Sequence, residues 1–453
     1  MTTKRTKPAA ERTISRRRFL QATGSTVLAA GSGPVLLTPR RAHARQKTLK
    51  ILQWNHFVPA YDEWFKNTYV KEWGERNDTR VIVDTVGITS LNSRATAEVA
   101  AGKGHDLFMF LTPPPLFEEH VIDHRDIYVE CERRYGKPID LAVRSTYNTR
   151  TDKYYGFSDS YVPDPINYRK DLWDDVGVYP DTWDDVRVGG RRIMRKHHVP
   201  VGIGLAPELD SNMALRSIML SFGASVQDEH GRPMLKSPQT LEALKFVKAL
   251  YEESMTDAVF TWDPSSNNRF LLAGRGSLTL NAISITRTGE NKKIPVANNI
   301  MLAKAAAGPA RRVSLQHLLD IYVIWKFAEN IDGAKQFLVD YVGNFRTAFL
   351  ASQFYNFPCF PQTVPDLGQL VARDPKAVPE DKYNIFSDVS DWVTSVGYPG
   401  HANAAIDEIF GNWTIPTMFA NAAKGTMKPA EALNAAHREV TAVFDKWRAR
   451  GLV

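Results

Sequence analysis

This 453-residue chain holds only two cysteines, Cys131 and Cys359, too few for a disulfide framework or, by themselves, for a zinc or iron–sulfur site. An oxidising compartment would permit a bridge between them, but their spacing does not bring them together. Long apolar runs are also missing. The one apolar stretch near the front is broken by Gly31, Gly33 and Pro34, and no later stretch approaches the roughly 18 apolar residues that a membrane-spanning helix needs. Motifs of catalysis and phosphate binding are equally scarce. There is no Walker sequence, no Gly-x-Ser-x-Gly elbow and no Cys-x-x-Cys, and Gly202-Ile203-Gly204 and Gly274-Arg275-Gly276 lack the third glycine of a dinucleotide turn. No cofactor and no metal are expected, and the chain does not read as an enzyme.

A basic face is lacking too, despite a formal net charge of +7. Nine of the 57 Lys and Arg residues, and one of the 50 Asp and Glu, lie in residues 1–44; the remainder carries 48 basic against 49 acidic groups. The excess charge therefore belongs to the first segment and gives no footing for a nucleic-acid partner. Within that segment Ser15-Arg16-Arg17-Arg18-Phe19-Leu20 resembles a twin-arginine export signal, and Ala42-His43-Ala44 reads as a small-x-small cleavage site. Residues 1–44 are expected to be removed, leaving a periplasmic protein with no cysteine at its new terminus to carry a lipid.

The remaining 409 or so residues are too many for one compact core, so two lobes are the natural expectation. Strand and helix patterns alternate at the front: Leu49–Trp54, Arg80–Val86 and Asp106–Leu111 read as strands, Val58–Glu75 and Leu91–Ala101 as helices. That alternation predicts an α/β fold with a largely parallel sheet, in which ligands sit beyond the carboxyl ends of the strands. It points to Trp54, Asn55 and His56, and to Thr112-Pro113, as residues at a mouth.

The densest punctuation lies between Gly156 and Val186. Ile166–Tyr168 reads as a strand and Arg169–Val176 as a helix closed by Gly177. Thr182 with Asp185 three residues on forms a capping box for the next helix. Tyr168, Lys170, Asp171, Leu172, Trp173, Gly177, Pro180, Thr182, Trp183, Asp184 and Asp185 together resemble the first lobe crossing of the type 1 extracellular solute-binding proteins, the carbohydrate-binding components of ABC importers similar to the maltose-binding protein. Phe270–Asn281 resembles that family's return passage. Asp320–Trp325, Asp332–Val342 and Pro429–Leu433 resemble its later elements.

The resemblance implies a two-lobed periplasmic binding protein of type II-like, Venus-flytrap form with three hinge crossings near residues 157, 283 and 343. Lobe 1 would comprise 45–156 and 284–342, and lobe 2 would comprise 157–283 and 343–453. It further implies a sugar or polyol ligand, an ABC permease partner and a monomer. Tyr161 and Tyr355 are carried over from family positions after the first and third crossings. Two regions depart from the family pattern: Leu315–Asp320 replaces a Gly-Gly-Trp-Gly-like stretch, and Asn281-Ala282-Ile283-Ser284 lacks the usual Trp. The identity of the ligand therefore does not transfer.

A sugar offers C–H faces to aromatic rings and a rim of hydroxyls to planar polar groups. Trp54, Tyr161, Trp262, Tyr355 and Trp413 are the stacking candidates, and Asn55, His56, Asp210, Asn212, Asn281 and His317 the hydroxyl partners. Trp64, Trp73, Trp173, Trp183 and Trp392 lie in helical patterns and read as core. Asp210 could instead cap the helix that follows it. Arg287 keeps a phosphorylated polyol or another anion open as ligand; a polyamine would require several carboxylates in the cleft. An exported glycoside hydrolase is the reading from a different class.

Overall fold

The computed structural model describes residues 47–453, so the export signal and its cleavage site lie outside the described residues. Fourteen strands are numbered in chain order: β1 (Lys47–Trp54), β2 (Thr79–Val86), β3 (Leu107–Phe110), β4 (Tyr147–Asn148), β5 (Lys153–Tyr154), β6 (Phe157–Val162), β7 (Ile166–Arg169), β8 (Val201–Gly202), β9 (Leu278–Leu280), β10 (Ile300–Ala303), β11 (Ser314–Leu315), β12 (Leu318–Ile324), β13 (Phe357–Pro358) and β14 (Val393–Thr394). They form a six-stranded sheet in the order β13-β6-β12-β3-β1-β2, a four-stranded sheet in the order β10-β7-β9-β8, and two two-stranded pairs, β11-β14 and β4-β5. In the first, β1 pairs parallel with β2 and β3, while β12 runs antiparallel between β3 and β6. Helices cover the sheets, and each sheet has its own large apolar core, giving the expected two-lobed α/β architecture.

Local sequence explains the flanking helices. The predicted aromatic helix runs from Pro59 to Arg76, with a π-helical turn at Phe65–Tyr69. Tyr61, Phe65, Tyr69 and Trp73 recur every four residues and so share one face. That face meets the helix Ile331–Gly343: Trp73 lies 5.1 Å from Phe337, and Tyr69 lies 5.3 Å from Tyr341. In the second lobe Gly177 takes the left-handed conformation at φ 64°, and Thr182 and Asp185 close both halves of the capping box at 3.1 and 3.0 Å. Trp73, Trp173, Trp183 and Trp392 are buried and Trp64 is half-buried, as expected of core residues. Cys131 and Cys359 are both free and buried.

The chain passes between the cores at places other than those expected. β6, expected beyond the first crossing, belongs to the first sheet, where every one of its residues is buried; the passage is the short link Pro163–Pro165. β10, expected in lobe 1, pairs antiparallel with β7 in the second sheet, so the first sheet is regained only at β12. Residues 343–392, expected in lobe 2, contribute Phe345, Phe349, Phe357, Phe386 and Trp392 to the first core, and the second core is rejoined at Val396. Aromatic burial and strand pairing decide these boundaries.

The three links are bound to one another. The amide of His317 donates to the Val162 carbonyl (2.7 Å), and the Ser314 hydroxyl donates to the Asp164 carbonyl (3.1 Å). β11 and β14 pair in parallel, which brings the second and third links side by side.

A buried polar seam as the candidate binding site

Between the lobes lies a seam of polar groups from both lobes and from the links. On the first-lobe side, β1 ends at Trp54 and delivers His56. His56 Nδ1 accepts the Val58 amide (2.9 Å), which leaves its proton on Nε2 for donation to Asn356 Oδ1 (2.9 Å). Burial lowers this imidazole to about 4, so it is neutral. Asn356 Nδ2 then donates to Asp320 Oδ2 (3.0 Å), which also accepts the Ser160 hydroxyl (3.0 Å). Burial pushes Asp320 up to about 7 and Asp159 up as well, and Asp320 adds to the rise at Asp159. Tyr355 packs with its ring 4.9 Å from His56 and 6.5 Å from Trp54. These three rings form one wall.

On the second-lobe side, the helix Leu209–Ser221 begins at the seam. Glu208 is its N-cap, accepting the amides of Asp210 (2.8 Å) and Ser211 (2.5 Å). Capping therefore falls to Glu208, which leaves the Asp210 carboxylate to accept Asn267 Nδ2 at 2.6 Å and to face His317. The links supply the centre. His317 Nδ1 lies 3.3 Å from Asp164 Oδ1, and its Nε2 lies 3.7 Å from Asp210 Oδ1. Burial works to lower the His317 imidazole, but the carboxylates of Asp210 and Asp164, with Glu208 behind them, raise it to about 9. Burial pushes Asp210 up to about 8; Glu208 and Asp164 reinforce this, while His317 and Asn267 resist it.

Buried polar atoms normally have partners, yet several here do not. The Tyr355 hydroxyl and both amide atoms of Gln316 are buried without a hydrogen bond, and Asp164 Oδ1 and His317 Nδ1 have only each other, at 3.3 Å. Asn281 adjoins the group through Asn268, to whose Oδ1 it donates at 2.6 Å. The seam is closed at both rims. At one, the Leu116 amide donates to Asp407 (3.3 Å), and Arg144 donates to the Pro399 carbonyl (2.5 Å). At the other, Arg287 donates to the Gln353 carbonyl (2.8 Å) and pairs with Asp374 at 2.6 Å.

Of the candidates named from the sequence, Trp54, His56, Asp210, His317 and Tyr355 converge on this seam, with Asn281 at its edge. Asn55 is exposed at the end of β1. Asn212 turns into the second lobe, where it bonds the Phe410 carbonyl and Arg216. Trp262 packs on Phe270 at 5.2 Å, and Trp413 lies 6.2 Å from Phe410. Tyr161 contacts Phe357 and lines a separate cavity of about 530 Å³ with Arg311, Arg312 and Tyr398. Arg287, held open for an anion, is committed to Glu290 and Asp374 and stacks 3.8 Å from the centre of the Tyr383 ring. Sequence reasoning missed Asp164, Glu208, Asn267, Gln316, Asp320 and Asn356. The Pro163-Asp164-Pro165 signature was available as a signal, since two prolines mark an extended link with few backbone donors.

Two α/β lobes joined by bundled links around a buried polar seam define a two-lobed solute-binding protein. The chain belongs to the bacterial extracellular solute-binding protein family, whose sequence profile matches residues 60–352. Solved structures share the fold at low identity. A solute-binding protein of an ABC transporter from Thermotoga lettingae TMO, bound with α-D-tagatose, is 17% identical with a TM-score of 0.71, over 88% of this chain and 100% of that one. Maltose-bound MalE3 of T. maritima is 17% identical with a TM-score of 0.71, over 87% and 99%. An ABC transporter solute-binding protein of Agrobacterium radiobacter K84, in complex with ribitol, is 15% identical with a TM-score of 0.68, over 88% and 98%. No curated protein sequence matches the chain.

Proposed function

We infer that this chain is the exported receptor of an ABC importer, capturing a small carbohydrate or polyol between its lobes and presenting the closed complex to an inner-membrane permease. The observation that carries this reading is the buried, unpartnered Tyr355 hydroxyl, with the 3.3 Å Asp164–His317 pair close to it, in the Trp54–His56–Tyr355 ring wall. Hydroxyl groups would satisfy those atoms, and the rings would cover the C–H face. The tagatose, maltose and ribitol held by proteins of the same fold support the class of ligand. Export by the twin-arginine route into the periplasm rests on the leader sequence.

Closure follows from the division of the contacts. Asp210 and Asn267 come from one lobe, Trp54, His56 and Tyr355 from the other, so only the closed form makes both sets at once. The links at 163–165, 304–317 and near 395 would act as one hinge. Asp164 is buried and His317 is 1% exposed, so a solute enters only when the lobes part.

The test is a panel of sugars and polyols screened by thermal shift, with small-angle scattering on the hits. A cognate solute at about 100 times its Kd adds roughly 2.7 kcal/mol of stability, and the radius of gyration should fall or hold as the closed form fills. Recovery of the solute chemically unchanged separates a receptor from a hydrolase. A panel with no hit, or turnover of a glycoside, refutes the reading.

A further inference from the structure

The charges lining the seam are one-sided. Asp164, Asp210 and Glu208 all act on His317, and among the described residues none of the three is paired with a Lys or Arg. Glu208 is occupied in capping the helix Leu209–Ser221. Of the nearby guanidinium groups, Arg287 pairs with Glu290 and Asp374, and Arg216 bonds Asn212 and lies over the Phe410 ring, with its Nη2 unpartnered. From the first lobe Asp320 acts on the Tyr355 hydroxyl as well. One imidazole thus faces three buried carboxyl groups, and burial makes Asp210 and Glu208 hold their protons more tightly.

A neutral polyol would offer hydroxyl donors to these groups but no charge, so enclosure in a low-dielectric space would leave Asp210 holding a proton that a cation could replace. A protonated amine supplies both the missing charge and three N–H donors. It also suits the faces of Trp54 and Tyr355, which attract cations. The Tyr355 hydroxyl, buried and without a partner, and Asp164 Oδ1, whose one contact is His317 Nδ1 at 3.3 Å, are the acceptors available to it.

We propose that the captured solute carries a protonated amine, as an amino sugar or amino polyol does, and that its ammonium group sits against Asp164 and Asp210 beside Tyr355. This rests on reading the seam as the solute site. Calorimetric titration of the full mature protein at pH 6.5 compares glucosamine with glucose, galactosamine with galactose, glucosamine with N-acetylglucosamine, and putrescine alone.

The amino sugars should bind about 100-fold more tightly than their hydroxyl counterparts, and acetylation should abolish the advantage. Asp164→Asn should cut the preference for glucosamine over glucose by about 30-fold, whatever it costs in binding of the two together. Should Asp164→Asn fail to fold by circular dichroism, Asp210→Asn takes its place, and the wild-type comparison stands without either. Neutral sugars that bind as tightly as their amines overturn the charge assignment but leave polyol capture intact. Binding of putrescine without the amino sugars keeps the charge assignment and overturns polyol capture. Binding of none of them overturns both.

Discussion

At the scale of single residues, the Tyr355 hydroxyl isolates what the seam lacks. It is buried and unpartnered, and burial followed by the fields of Asp210, Asp320 and Asp164 holds it far from ionisation. Tyr355→Phe removes one dangling donor and keeps the ring. Thermal unfolding of the ligand-free variant should match or exceed the wild type, whereas solute affinity should fall about tenfold, the worth of one buried hydrogen bond. A variant that loses stability but binds normally would make Tyr355 a packing residue only. Part of the site was legible at this scale. Trp54 and His56 follow from the end of a parallel strand, His317 stands in the Leu315–Asp320 stretch that departs from the family pattern, and Asp210 lies in a polar run that opens a helix. Trp262 and Trp413 misled because an aromatic ring at the end of an element beside polar neighbours also closes a core. Asp164 escaped because the first crossing was expected near residue 157, seven residues before it.

At the scale of elements, caps and turns carry the clearest signal. The Thr182–Asp185 box, the Ser237 cap of the helix Pro238–Ser254 and the Gly177 turn all stand as their residue types dictate. Thr182→Ala should cost about 1 kcal/mol in urea unfolding and leave solute affinity unchanged, since the cap is remote from the seam. Loss of affinity in that variant would mean that the second lobe transmits strain to the site. The two-residue strands β4, β5, β8, β11, β13 and β14 left no periodicity to read, and β11 and β14 are the ones that bundle the links. Gly308 shows how tightly one link is seated: a side chain there would collide with the Ser221 carbonyl, which accepts the Ala310 amide at 3.0 Å. Such backbone proximity has no signature beyond the glycine itself.

For the whole molecule, the buried titratable groups set a pH profile. Burial raises Asp320 to about 7 and Asp210 to about 8; at His317 burial is outweighed by neighbouring carboxylates, leaving it at about 9. Each binds its proton more tightly when folded than when unfolded, so each gives stability that is present at low pH and lost as pH rises: from about pH 4 up to 7 for Asp320 and up to 8 for Asp210, and from about 6.5 up to 9 for His317. His56 and His124, lowered by burial to about 4, act in the opposite sense and remove stability below about 6.5. The ligand-free melting temperature should therefore change little between about pH 4 and 6.5, where the two senses oppose each other, and decline from pH 6.5 towards pH 9. Asp320→Asn should flatten the decline up to about pH 7 and Asp210→Asn up to about pH 8. A melting temperature that climbs steadily from pH 6 to pH 9 contradicts the assignment. The two-lobed form was legible in the ordered run of motifs, but the division of chain between lobes was not, because which core an aromatic segment such as 345–392 joins is decided by distant partners.

Asp164 and His317 ride on the connecting strands, close to the pivot, where opening displaces atoms least. A visiting molecule can touch them before the jaws swing in, and it parts from them last. Arrival and departure are thereby assigned to different side chains: changes at Asp164 should slow capture in stopped-flow traces, whereas changes at Asp210 or Tyr355 should chiefly shorten the dwell time.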